Sequence, residues 1–119
     1  MRFAYEELTV WQQAVELAER IYTITKTFPR DEQFGLTSQI RRAAVSISLN
    51  IAEGKGRYHR KEYKQFLYNA RGSLYETATL LLLATKLGYL KESAYEELRQ
   101  VTQRILSQLS GLVNYLKEE

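Results

Sequence analysis

The chain has 119 residues, no cysteine and a formal net charge of +3, which excludes a disulfide framework and any thiolate metal site. Its 45% apolar and 26% charged residues, with one proline and six glycines, predict a single globular all-α domain over residues 1–119. We expect no signal peptide and no membrane span, and therefore a cytoplasmic protein.

The first predicted helix spans about residues 10–28. Thr9 and Gln12 have the spacing of a capping box at its start, and Pro29 ends it. Asp31 is then predicted to be the N-cap of the next helix. Apolar residues at three- and four-residue steps form the core face: Val10, Ala14, Leu17, Ala18, Ile21, Ile24 and Phe28.

The second predicted helix spans about residues 32–53 and carries three stripes. The core stripe comprises Leu36, Ile40, Ala43, Ala44, Ile47 and Ile51. Beside it lies a predicted structural polar network of Gln39, Arg42, Ser46, Asn50 and Glu53. Opposite the core is a second apolar strip of Val45, Leu49 and Ala52, which implies a second packing partner. Gly54 is expected to close the helix in the left-handed conformation.

The third predicted helix spans about residues 60–87, after a short basic linker that predicts an antiparallel return. Gly72 in its interior costs about 1 kcal/mol relative to alanine, which close approach of another helix would explain. The predicted core face comprises Tyr63, Phe66, Leu67, Ala70, Leu74, Thr77, Leu81 and Ala84.

Residues 80–83 of this helix are four consecutive leucines, more than one core can cover. We therefore predict an interface between copies of the chain, because a second segment also shows surplus apolar residues. Shielding by long neighbouring side chains and by the following turn is the alternative. The predicted interface residues are Val45, Leu49, Leu80, Leu82 and Leu83.

The fourth predicted helix spans about residues 93–117. Leu98, Ile105 and Leu112 repeat every seven residues, a pattern typical of near-parallel helix packing. The other seam position is filled by Val101 or Thr102, Leu109 and Leu116. Four amphipathic helices with three short loops predict an antiparallel up-down-up-down four-helix bundle.

Basic residues are concentrated between Arg41 and Arg71, where eight basic residues accompany two acidic ones. Several recur on one face of the third helix, together with Tyr75, and extending the helix backward places Arg57 on the same line. Such a face can neutralise phosphates, and tyrosine rings can stack on unpaired bases. The predicted nucleic-acid-binding residues are Arg57, Arg60, Lys61, Lys64, Tyr68 and Arg71. The alternative is a solvated face whose tyrosines pack at the interface between copies.

The sequence lacks the patterns of catalytic and metal sites. His59, the only histidine, stands in the basic linker, whereas metal sites in bundles need Glu-x-x-His pairs on two helices. Neither a nucleophile elbow nor a phosphate-loop motif occurs. We expect no catalytic residue, metal, cofactor or small-molecule substrate. An enzymatic alternative rests only on the clustered polar residues Arg42, Asn50 and Glu53.

Four segments carry a family resemblance: LTVWQQAVELAERIY, FPRDEQFGLTSQIRRAAVSISLNIAEGKGR, FLYNARGSLYE and LGYL. They resemble the 23S rRNA intervening-sequence family, also called S23 ribosomal proteins. The resemblance implies a non-enzymatic four-helix bundle that assembles as a ring, a homopentamer. A related bundle, the accessory protein of diversity-generating retroelements, is similar in being a basic pentamer that binds nucleic acid and a reverse transcriptase.

The matches to the family pattern are mostly structural. The resemblance implies that Asn50 and Glu53 fix the end of the second helix, and that Arg57 pairs with Glu53 or faces nucleic acid. His59 departs from the family's Ser or Thr cap, and residues 77–80 replace an acid and an amide by apolar residues. The matching residues are Gln39, Arg42, Asn50, Glu53, Gly54, Gly56, Arg57, Gly72, Ser73 and Glu76.

Two functions remain as hypotheses. The first is a homo-oligomer that binds RNA or DNA by shape and charge through the basic face of the third helix. The alternative is a protein–protein scaffold, or an accessory subunit of an enzyme such as a reverse transcriptase, without intrinsic affinity for nucleic acid.

Overall fold

Four amphipathic helices account for most of residues 2–117, the part of the chain that the computed structural model describes. They are α1 (Thr9–Thr25), α2 (Leu36–Lys55), α3 (Arg60–Lys86) and α4 (Glu92–Lys117). Short 3₁₀ helices at Ala4–Glu7 and Arg30–Glu32 precede α1 and α2. No strand occurs within the described residues, so the all-α prediction is confirmed.

The helices enclose one core. α1 contacts α2 and α4, and α3 contacts the same two helices, which gives an elongated body of 47 × 25 × 22 Å. The predicted core faces are buried almost throughout, although Ile24, Phe66 and Leu112 are only half-buried. No helix among residues 2–117 has an apolar stretch sufficient to span a bilayer. The largest fully buried side chains include Leu17, Ile21, Ile40, Ile47, Ile51, Leu67, Leu81, Leu98, Ile105 and Leu109.

Both ends of α1 differ from the prediction. Its N-cap is Leu8, and Thr9 is already helical, so the capping box predicted from Thr9 and Gln12 is wrong. The Gln12 amide instead donates a hydrogen bond of 2.7 Å to the carbonyl of Glu6 in the preceding 3₁₀ turn. The helix ends at Thr25, before the expected residue 28, because the backbone there changes to i→i+3 hydrogen bonds ahead of the proline.

α2 begins at Leu36, four residues later than predicted, and its N-cap is Gly35. The predicted Asp31 cap is wrong because Asp31 lies in the 3₁₀ turn. Glu32 serves instead: its Oε1 accepts a hydrogen bond of 3.1 Å from the Leu36 amide. Its Oε2 accepts one of 3.0 Å from the Tyr89 hydroxyl, which connects the start of α2 to the turn between α3 and α4.

Neither interior glycine has the role predicted for it. Gly54 is buried inside α2 with ordinary helical geometry; within the described chain only Gly88 has a positive φ, of 82°. A Cβ on Gly54 would lie 2.8 Å from the Phe66 Cβ and 3.0 Å from Tyr63 Cδ1, so close approach of α3 requires glycine there. Gly72, for which we predicted such an approach, has no neighbouring atom of this chain within 4 Å of the position that a Cβ would occupy.

The surplus apolar surface is smaller than predicted. Leu80 is only 7% exposed and belongs to the core, because the buried face of α3 extends to the end of the helix. Val45 is half-buried against the core. Leu49, Leu82 and Leu83 keep 54%, 40% and 44% exposure. These three leucines, the exposed leucines, are what remains of the predicted interface.

Candidate nucleic-acid interface

The basic face of α3 borders a groove between α3 and α4, the α3–α4 groove. Residues at three- and four-residue steps on each helix form its walls because such residues share a helix face. A smaller cavity of about 90 Å³ is lined by Leu67, Tyr68, Arg71, Leu109, Ser110, Val113, Asn114 and Lys117. A larger cavity of about 220 Å³ is lined by Leu74, Tyr75, Ala78, Tyr95, Arg99, Thr102, Gln103 and Leu106.

Two arginines of the predicted interface lie over tyrosine rings at this groove. The Arg71 guanidinium lies 5.2 Å from the centre of the Tyr68 ring. The Arg60 guanidinium lies 5.3 Å from the Tyr115 ring of α4, and its Nη1 donates a hydrogen bond of 3.5 Å to the Tyr115 carbonyl. Such stacking holds a cation in place at little cost to its solvation, which lowers the entropy lost on binding a phosphate.

Arg57 does not continue the line of the α3 cations, contrary to the prediction. Its guanidinium lies 4.6 Å from the centre of the Phe66 ring. Phe66 is about 160° around the helix from Lys64, since each residue advances by about 100°. The turn between α2 and α3 therefore carries Arg57 toward α2. Lys61 is exposed, and Arg60 and Lys64 are half-buried on the groove side of α3.

Helix α4 supplies a wall of the groove that sequence reasoning missed. Arg99 lines the larger cavity and Lys117 the smaller one, beside Arg71. Arg99 also pairs with Glu96 at 3.1 Å, and both side chains are about half exposed. The signal for this wall is a run of residues at helical spacing, polar or aromatic except for Leu106, beside the seven-residue apolar repeat of the same helix. That run is Tyr95, Arg99, Gln103, Leu106, Ser110, Asn114 and Lys117.

The predicted polar network forms in part, between α2 and α3. The Ser73 hydroxyl donates to Ser46 Oγ at 2.9 Å. The Asn50 amide donates to the Ser46 carbonyl at 2.9 Å and to Ser46 Oγ at 3.0 Å. Ser46 thus joins α2 to α3 through its hydroxyl.

The other three predicted members are outside this network. Within residues 2–117, the side chains of Gln39, Arg42 and Glu53 have no hydrogen-bonding or ion-pair partner. Glu53 is exposed and does not pair with Arg57; the Gly56 amide instead closes the helix on the carbonyls of residues 52 and 53. Arg42 and Glu53 are separated by eleven residues, about 16 Å along α2, so they do not converge on a common site. No group of three potential metal ligands occurs in the described part of the chain.

Comparison with protein families identifies this architecture. Residues 6–111 match the model of the 23S rRNA-intervening sequence protein family. The chain belongs to that family. The resemblance seen in the sequence is therefore confirmed, and the family match includes the whole basic face of α3, whereas Asn114 and Lys117 of the groove lie beyond it.

A solved structure supports the same assignment. It is a protein of unknown function from the S23 ribosomal protein family of Bacteroides thetaiotaomicron, with a TM-score of 0.80 and 25% sequence identity. The similarity covers 88% of this chain and 98% of that one. No curated protein matches the chain. Neither the family name nor the description of the solved structure states an enzymatic reaction.

Proposed function

We propose that this member of the 23S rRNA-intervening sequence protein family binds RNA through the α3–α4 groove and the cations beside it, without catalysing a reaction. The observation that carries the proposal is the position of Arg71 and Lys117 on opposite walls of one cavity that also contains the Tyr68 ring. Arg60 and Lys64 precede Arg71 on the same side of α3. Tyrosine rings beside the cations can stack on unpaired bases, which favours RNA, with its single-stranded segments, over duplex DNA.

The spacing of these cations suits a polyanion. Arg60, Lys64 and Arg71 extend over about 16 Å of the helix axis, which is long enough to contact more than one phosphate of a strand. Two of the three guanidinium or ammonium groups, those of Arg60 and Arg71, lie over rings and are already oriented. Cations of this kind bind the phosphate backbone of the nucleic acid, and they contribute affinity without recognising the base sequence.

The proposal includes self-association of an up-down-up-down bundle into a ring, a homopentamer as the family resemblance implies, in a reducing cytoplasm that suits a chain without cysteine. The exposed leucines support it, because an isolated chain leaves them in water. A ring would place several copies of the groove side by side and raise the avidity for one RNA molecule.

The test compares two variants that remove the same charge. One replaces Arg60, Lys61, Lys64 and Arg71 by glutamine; the control replaces Lys26, Arg30, Lys86 and Lys91, at the end of the bundle where Phe28 contacts Tyr89. Fluorescence anisotropy with a short RNA should show loss of binding and of its salt dependence in the first variant, and wild-type affinity in the control.

Equal affinity of the two variants would contradict the proposal. The scaffold alternative predicts a different result. In that case the wild-type protein binds no RNA, and a stoichiometric partner protein remains bound to it after nuclease treatment.

A further inference from the structure

We infer that the larger cavity of the α3–α4 groove receives an unpaired base of the bound RNA strand, with Tyr75 as the ring on which the base stacks. This inference rests on the proposed function and adds the kind of RNA that the groove accepts: a single strand or an unpaired segment.

The size and lining of the cavity fit a planar aromatic ring. Its volume is about 220 Å³, and the side chains of Leu74, Ala78 and Leu106 form an apolar floor. Tyr75 stands on one wall and Tyr95 on the other. The Gln103 amide, at the rim, can donate and accept hydrogen bonds at a base edge. A cavity that is apolar inside and polar at its rim accommodates a base better than it accommodates a sugar or a phosphate.

Tyr75 differs from the other tyrosines near the basic face. The rings of Tyr68 and Tyr115 face the guanidinium groups of Arg71 and Arg60. Tyr75 is 55% exposed and has no ring or cation stacked on it in the part of the chain that the structure describes. It therefore offers a free aromatic face, and stacking of a base on such a face is favourable and tolerant of base identity.

Cations flank the cavity where the backbone of a bound strand would pass. Arg71 precedes Tyr75 by one turn of α3, about 6 Å, and Arg99 lines the cavity itself from α4. The ion pair of Arg99 with Glu96 is exposed, so a phosphate can replace the carboxylate at little cost. The charge around the cavity thus complements a phosphodiester on each side of the inserted base.

A base inside a duplex cannot reach this cavity without leaving its stack. Aromatic platforms therefore select single strands and loops, whereas a duplex can contact only the surrounding cations. The inference predicts that a single RNA strand binds more tightly than a duplex of the same length. It also predicts that the bases, and not only the phosphates, contribute to the affinity.

The experiment uses two short RNA strands of equal length and charge, one intact and one with abasic sites throughout its centre. Wild-type protein should bind the intact strand about fivefold or more tightly than the abasic strand. Tyr75→Leu, which keeps an apolar side chain, should lose that preference while its affinity for the abasic strand is unchanged. Tyr75→Phe should retain it. Tyr22→Leu on α1, which removes a partly exposed ring that faces Arg41 and does not line the groove, serves as the control.

The outcomes separate this inference from the proposed function. Equal binding of intact and abasic strands by the wild type, with loss of both in the glutamine variant, would overturn base insertion and leave RNA binding in place. Equal weakening of both strands by Tyr75→Leu would also overturn it, and the mass of that variant in solution shows whether assembly had changed. Absence of binding to either strand by the wild type would overturn both proposals.

Discussion

Gly54 of α2 lies so close to Phe66 of α3 that a methyl group on Gly54 would come within 2.8 Å of the Phe66 Cβ. The turn between α2 and α3 also contacts Phe66, since the Arg57 guanidinium lies 4.6 Å from the centre of its ring. The contact therefore fixes the end of α2 against the start of α3. The start of α3 carries the first cations of the proposed interface, so this packing positions them.

Gly54→Ala should lower the free energy of unfolding by about 1–3 kcal/mol, because α2 and α3 must separate to admit the methyl group. Gly72→Ala is the matched control: it is also a helical glycine, but its surroundings are open. That variant should gain about 0.5–1 kcal/mol from helix propensity. Denaturant unfolding measures both, and equal responses of the two variants would contradict the packing described here.

Replacement of Tyr63 by phenylalanine should not destabilise the protein. The Tyr63 hydroxyl is buried and has no hydrogen-bond partner among the described residues, so its removal should leave stability unchanged or raise it by up to about 1 kcal/mol. Burial also raises the pKa of the Tyr63 phenol above its ordinary value of 10.0. The part of the folding stability that depends on the neutral Tyr63 phenol is fully present below pH 10, and it is lost as the pH rises through the folded-state pKa.

Unfolding followed between neutral and strongly alkaline pH should therefore show a smaller decline for Tyr63→Phe than for the wild type. Tyr89→Phe provides the contrast. The pKa of Tyr89 is raised, mainly by the hydrogen bond that its hydroxyl donates to the Glu32 carboxylate. This variant should lose stability already at neutral pH, since it removes the donor to Glu32. A loss of stability in Tyr63→Phe at neutral pH would show that its hydroxyl has a partner.

Arg57 and Arg71 should contribute unequally to RNA binding, although the sequence pattern places both on one line. Arg71 lines the groove, whereas Arg57 lies over Phe66 on the side of α3 that faces α2. Arg71→Gln should weaken binding and reduce the slope of log affinity against log salt by about one unit. Arg57→Gln should change both less. A larger effect of Arg57→Gln in the same anisotropy titration would move the interface to the turn between α2 and α3.

Helical periodicity explains why the sequence predicted most of the fold and part of the site. Ile40 and Ile47, like the rest of the core face of α2, recur at three- and four-residue steps, and burial follows directly from that spacing. The role of Gly54 could not be read in this way. A glycine near a helix end is compatible both with a left-handed cap and with close approach of a neighbour, and only the path of α3 decides between them.

Of the proposed site, the sequence pattern predicts the part that lies on one helix and not the part where two helices meet. Arg71 and Tyr68 could be predicted as members because both belong to the periodic basic face of α3, and both line the groove. Lys117 and Arg99 were missed because the charges of α4 are mixed, with no basic concentration to mark them. Arg57 was misplaced because the turn before α3 has no periodicity, so extending the helix backward gave the wrong direction.

The exposed leucines give a prediction for assembly. Leu82→Gln combined with Leu83→Gln should lower the mass of the protein in solution, because two polar side chains would have to be desolvated in the interface. Tyr58→Gln is the control, since that side chain is fully exposed in the turn after α2. Light scattering after size-exclusion chromatography measures the mass. An unchanged assembly in the leucine variant, with the fold intact, would place the interface elsewhere.

The most direct test of the proposed function is a titration of the wild-type protein, at known mass, with single-stranded RNA, structured RNA and duplex DNA. Fluorescence anisotropy at low and at near-physiological salt gives the affinity and its salt dependence. We predict micromolar or tighter binding of RNA by an oligomer, with binding that weakens with salt but persists near physiological salt. Absence of binding, or its complete loss at modest salt, would show that the basic face of α3 is only a solvated helix surface.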